Sequence, residues 1–108
     1  GQYAAAVDDY RAHGREEPDR NWRAFLWLAT VRPGIWERLA PHVNIPRAVV
    51  DWEAIGRIGW SSGEWVMLEL ARALYTDVGQ VEPAGLASVS DDLWAAIVRA
   101  FELYRGAR

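Results

Sequence analysis

The chain has 108 residues, 51% of them hydrophobic and 25% charged, with 15 acidic against 12 basic side chains and a net charge of −3. That length suits one domain burying roughly 65% of its unfolded surface, and the composition is too apolar for a disordered segment. It contains no cysteine, which excludes a disulfide framework and thiolate metal sites, and its longest strictly apolar run, Ala24 to Ala29, is far short of the ~20 residues a bilayer span needs.

In chain order, Tyr3, Ala6, Val7 and Tyr10 recur at helical spacing and predict a helix over about 2–13, with Gly14 as its left-handed stop. Arg15-Glu16-Glu17-Pro18 reads as a loop. Asp19 is placed to cap a helix over 20–31 that carries Trp22, Phe25, Leu26 and Ala29 on one face and ends before Pro33. A shorter helix over 34–43 groups Ile35, Trp36, Leu39 and Val43; Pro41 is placed to shorten it, and Pro46 confines the next loop. The β-branched pair Val49-Val50 is compatible with a strand, but Asp51 ahead of Trp52, Ile55 and Ile58 favours a capped helical turn over 51–58. The two strongest amphipathic helices cover 62–75, with Met67, Leu70, Ala71, Leu74 and Tyr75 on one face, and 91–105, with Leu93, Ile97, Ala100, Phe101 and Tyr104.

Ser61, Trp65, Ala71, Leu74 and Tyr75 recur 29 residues later as Ser90, Trp94, Ala100, Leu103 and Tyr104, which suggests similar packing roles. Since no stretch alternates convincingly, the expected fold is all-α, a small compact bundle of five to six helices of unequal length forming a single domain over 1–108.

The segment Gly59-Trp60-Ser61-Ser62-Gly63-Glu64-Trp65 fits three patterns. GWSSG matches the G-x-S-x-G nucleophile elbow, but an α/β-hydrolase places that Ser after a strand and its His later in the chain, and His13 and His42 both precede Ser61. WSSGEWVMLELARALY is similar to the signature segment of ABC ATPases over about fifteen residues. That signature acts on nucleotide held by a P-loop Lys, and this chain has no Lys. The third pattern, a capping box of Ser61 with Glu64, needs no absent partner, and it places Trp60 and Trp65 at the spacing of a hydrophobic staple. At the last helix Ser90 is the matching cap and Val89 with Trp94 the matching staple.

No catalytic, cofactor or metal constellation emerges. His13 and His42 lack a ligand-spaced neighbour, and Asp8/Asp9, Glu16/Glu17 and Asp91/Asp92 are adjacent pairs that point to different sides of a helix. Seven tryptophans remain, roughly 1,400 Å² of mostly apolar surface at ~200 Å² each. Trp27 lies with Arg23 and Val31 on the side of its helix away from Trp22 and Phe25, so either that helix is covered on both sides or these three form a protein interface.

The resulting expectation is a non-enzymatic helical domain that binds a protein partner or a second copy of itself, with Arg23, Trp27 and Val31 as candidate contacts. The alternative is a nucleic-acid-associated regulatory domain, which the acidic balance disfavours. Exclusive use of Arg, alongside abundant Ala, Gly and Val, points to a GC-rich bacterial source. The absence of cysteine and of a secretory pattern agrees with a cytoplasmic location, while Gly1 in place of Met leaves the natural start open.

Overall fold

The computed structural model describes residues 1–13 and 17–107, so the stop expected at Gly14 and the loop residues Arg15 and Glu16 lie outside the described residues. The elements are α1 (Gln2–Ala12), α2 (Arg20–Ala29), α3 (Pro33–Leu39), a 3-10 turn (Ala40–His42), β1 (Val43–Asn44), β2 (Val49–Val50), α4 (Trp52–Gly56), α5 (Ser62–Thr76), α6 (Pro83–Ala87) and α7 (Asp91–Tyr104). The fold is mostly helical, and its radius of gyration of 13.0 Å is that of a fully collapsed chain of this length. No helix among the described residues is long and apolar enough to cross a membrane.

Helix α2 is the centre. Asp19 caps it by accepting the Trp22 amide at 2.8 Å, and at the other end the buried Thr30 hydroxyl donates to Leu26 O at 2.6 Å, closing the helix two residues before the expected end. Between those ends Trp22, Phe25, Leu26 and Ala29 enter one apolar cluster with Ile35, Leu39, Ile55 and Leu68. From the opposite side of the same helix, Ala24 and Leu28 enter a second cluster with Met67, Leu70, Leu74, Leu93 and Ile97. A helix with apolar residues on two sides must be packed against on both. Accordingly α5 and α7 pack along its length, and α1 and α3 close the remaining sides.

Rings reinforce the first cluster. Trp22 stacks on Phe25 at 5.1 Å between centroids, and Trp52 meets Phe25 edge-on at 5.6 Å. Such pairs contribute about 0.5–1.5 kcal/mol each beyond their burial.

Three local features differ from what the sequence pattern predicts. Pro33, expected to lie before its helix, instead occupies the first turn of α3, where its missing amide costs nothing. Pro41 converts the expected tail of that helix into a 3-10 turn. Val49-Val50 does form a strand, pairing antiparallel with Val43-Asn44, and the capped turn begins directly after it: Asp51 accepts the Ala54 amide at 3.1 Å. The short helix α6 follows from no periodic pattern in the sequence. Gly85 lets this short helix press on α5, because a Cβ there would stand 3.2 Å from Val66 Cγ2.

A polar knot closes the far end of the bundle. Asp77 ends α5 in the left-handed conformation, φ 64°, and its Oδ1 accepts from the Tyr104 hydroxyl at 2.5 Å and from Asn21 Nδ2 at 2.7 Å. Asn21 also donates to Leu74 O at 2.8 Å, so α2, α5 and α7 are tied together at one point. The Tyr104 and Asn21 hydrogen bonds hold the Asp77 carboxyl below the usual carboxylate range.

Phe25→Ala and Leu28→Ala truncate side chains that are each 1% exposed, one in each cluster. Each should cost about 2–5 kcal/mol. Because both clusters share α2, guanidinium unfolding of either variant should remain a single transition; a split transition would show that the clusters unfold separately. The knot gives a pH test. A lowered carboxyl pKa contributes stability above the ordinary carboxylate range and loses it as pH falls through the lowered value. The Tm deficit of Asp77→Asn relative to the parent should therefore be clear near neutrality and shrink below about pH 4.

Candidate functional site

The residues that the sequence nominated as an interface all make contacts within the fold, and Trp27 and Val31 are partly exposed. Arg23 is 8% exposed and its guanidinium lies 3.2 Å from Glu17 Oε2, so it serves to seat the loop before α2. Trp27 is half-buried, donates its indole N–H to Ala96 O on α7 at 3.0 Å, and meets Tyr3 of α1 edge-on at 5.3 Å. Val31 packs against the second cluster. The Trp27 indole thus joins α2 to α7 and α1.

The GWSSGEW segment is a helix start. Ser61 Oγ accepts the Glu64 amide at 3.2 Å, while the Ser61 amide donates to Glu64 Oε1 at 2.9 Å, completing the capping box. Arg38 of α3 adds a clasp. It donates to Gly34 O at 3.0 Å and Gly59 O at 3.3 Å, pairs with Glu64 Oε2, and lies 4.3 Å over the Trp60 ring. The Ser61 amide, helped by the Ser61 hydroxyl and Arg38, holds the Glu64 carboxyl below its usual range against a smaller opposing desolvation. The two tryptophans have separate surroundings. Trp60 packs on the first cluster and donates to Ile55 O at 3.0 Å, whereas Trp65 is 42% exposed.

The second helix start is built differently. Ser90 occupies the N-cap position, but its hydroxyl makes no cap bond; it donates to Asp92 Oδ1 at 2.5 Å, and Arg32 pairs with Asp92 Oδ2 at 2.9 Å. Val89 packs inward and Trp94 is 49% exposed.

The remaining polar groups mostly satisfy one another locally. His13 Nδ1 lies 2.9 Å from Asp9 O, and His42 lines an open groove of about 630 Å³ with Asp9, Trp36 and Asp51. Asp8 pairs with Arg11, and Glu17 bridges Arg11 and Arg23. No group of three or more His, Asp or Glu among the described residues is arranged to hold a metal ion. Arg11, Arg23, Arg32, Arg38 and Arg57 each reach a carboxylate, which lowers their capacity to form a phosphate-binding surface.

An apolar surface is left open on the outer side of α7. Leu93, Ala96, Ile97, Ala100 and Leu103 face the core, with Ala100 at 0% exposure. Phe101, expected on that inner face, is one residue past Ala100 and thus turned about 100° away, which leaves it 40% exposed. With Trp94 and Val98, 49% and 45% exposed, it forms a stripe along one side of the helix. Ala95 and Glu102 flank the stripe, Asp91 and Arg105 stand at its two ends, and all four are exposed. The three apolar side chains together present roughly 250 Å² to solvent. The signal was in the sequence: residues 94, 98 and 101 repeat at four and three, opposite the inner face. It was obscured because Trp94 also fits a staple and Phe101 also fits the inward stripe.

Ser61→Ala should lower stability by about 0.5–2 kcal/mol in denaturant titration, without altering the surface of α7. An unchanged unfolding midpoint would mean that Arg38 and Glu64 hold the turn without the cap. No family model matches the chain, and neither a curated protein nor a solved structure matches it.

Proposed function

We propose that this chain is a protein-interaction domain without catalytic activity, and that its contact surface is the outer face of α7. The carrying observation is the stripe of Trp94, Val98 and Phe101, three large apolar side chains 40–49% exposed at helical spacing on one face. Each costs free energy where it stands, and each would be favoured by removal from water. Aromatic anchors with a charged rim are also the usual composition of an interface centre. This surface is distinct from Arg23, Trp27 and Val31, which make contacts within the fold, and lies on the side of α7 that Trp27 does not touch.

The test compares the parent chain with a Trp94→Ser/Phe101→Ser variant. Both side chains are exposed, so the variant should keep its circular dichroism spectrum and its Tm to within a few degrees. Immobilised parent chain should retain partner protein, free copies of the chain included, and the variant should lose that retention by at least about tenfold, a difference of ~1.4 kcal/mol. Equal retention by the two, or none by either, would sink the reading.

A further inference from the structure

We infer that the occupant of the α7 face is a second copy of this chain, docked through the same face with the two α7 helices antiparallel. This rests on the reading of that face as a protein-binding surface and names its partner.

Spacing indicates what fits. Residues 91, 94, 98, 101 and 105 succeed one another at three, four, three and four along α7, and all five are exposed. That is the seam of a helix that packs along another helix, since a period of 3.5 keeps side chains in register with a neighbouring rod.

Charge selects the partner and its direction. The seam is apolar in the middle, with Asp91 at its N-terminal end and Arg105 at its C-terminal end. Two copies side by side in the same direction would set Asp91 against Asp91 and Arg105 against Arg105. Reversing one copy sets unlike ends together twice over and also opposes the helix dipoles. In that arrangement Phe101 of each copy lies against Val98 of the other. Each Arg105 guanidinium reaches the exposed Trp94 ring, with Asp91 one turn away. Arginine over an aromatic ring is already used inside the chain, by Arg38 over Trp60 at 4.3 Å and by Arg20 over Tyr104 at 4.7 Å.

Area bounds the strength. With its flanking residues the face offers on the order of 500 Å² per copy, below the ~800 Å² of a standard interface. The dimer should therefore be reversible, with a dissociation constant above about 1 µM.

Sedimentation equilibrium of the full chain between about 10 µM and 1 mM brackets that range. The mass should rise from 12.2 kDa toward twice that value. Trp94→Ser and Val98→Ser, each checked for an unchanged circular dichroism spectrum, should remain at 12.2 kDa. Asp91→Arg and Arg105→Asp should each weaken association roughly tenfold, and the two combined should restore it to within about threefold of the parent. A parent mass fixed at 12.2 kDa up to the highest concentration would overturn the inference, as would association that survives Trp94→Ser. So would a combined charge reversal no tighter than the single ones. If the chain is monomeric yet still captures another protein through Trp94 and Phe101, the self-pairing falls and the interaction reading stands; if neither is seen, both fall.

Discussion

The enclosure of α2 is the constraint on which the other elements depend. Its ten residues include a continuous buried run from Trp22 to Leu26, then Leu28 and Ala29, and such a segment has no stable place at a surface. Covering it takes helices on every side, and the two longest, α5 and α7, lie along it. Short elements fill what remains, and their ends are fixed by prolines, by the cap at Asp51, and by the clasp of Arg38. Even the polar side chains of α2 serve this arrangement. Asn21 reaches the end of α5, Trp27 reaches a carbonyl of α7, and Thr30 seals its own last turn.

Helices α5 and α7 show how the same helical register yields the same environment. The matched residues Ala71 and Ala100 are 1% and 0% exposed, Leu74 and Leu103 are 5% and 1%, and Trp65 and Trp94 are 42% and 49%. Both helices press small and branched residues against α2 and hold a tryptophan outward near their start. They part at their caps and at their tyrosines. Ser61 closes a capping box where Ser90 binds Asp92, and Tyr75 donates to Ala48 O at 2.5 Å where Tyr104 binds Asp77. The resemblance is one of packing role, which a shared apolar stripe beside α2 is enough to produce.

The proposed function rests on the surface this packing leaves over. A small domain has too little polar surface to cover itself, so single exposed apolar residues such as Val49 and Val78 are ordinary. Trp94, Val98 and Phe101 differ because they are aligned on one rigid helix whose opposite side is anchored in the core. A partner meeting them loses little ordering entropy, since the backbone beneath is already fixed. The serine-rich turn, by contrast, is used for structure. The Ser61 hydroxyl, the Glu64 carboxylate and the neighbouring Arg38 satisfy one another.

Sequence alone determined the mostly helical architecture, the apolar stripes of α2, α5 and α7, and the caps at Asp19, Asp51 and Ser61. Those features depend on residues within a few positions of one another, where helical period and hydrogen-bonding reach are fixed by local geometry. Tertiary structure decided the rest. Whether Trp27 meets solvent depends on Ala96, 69 residues away, and whether Phe101 is inside depends on how α7 is rotated against α2. The hairpin of Val43-Asn44 with Val49-Val50 and the short α6 are likewise too brief to carry a period; Val50 and Val43 in the first cluster, the Tyr75 hydrogen bond to Ala48 O, and Leu86 and Gly85 against the second cluster and Val66 hold them in place. Periodicity specifies that a helix has an apolar side; the number of sides its neighbours cover is set by contacts distant in the chain, which no local pattern encodes.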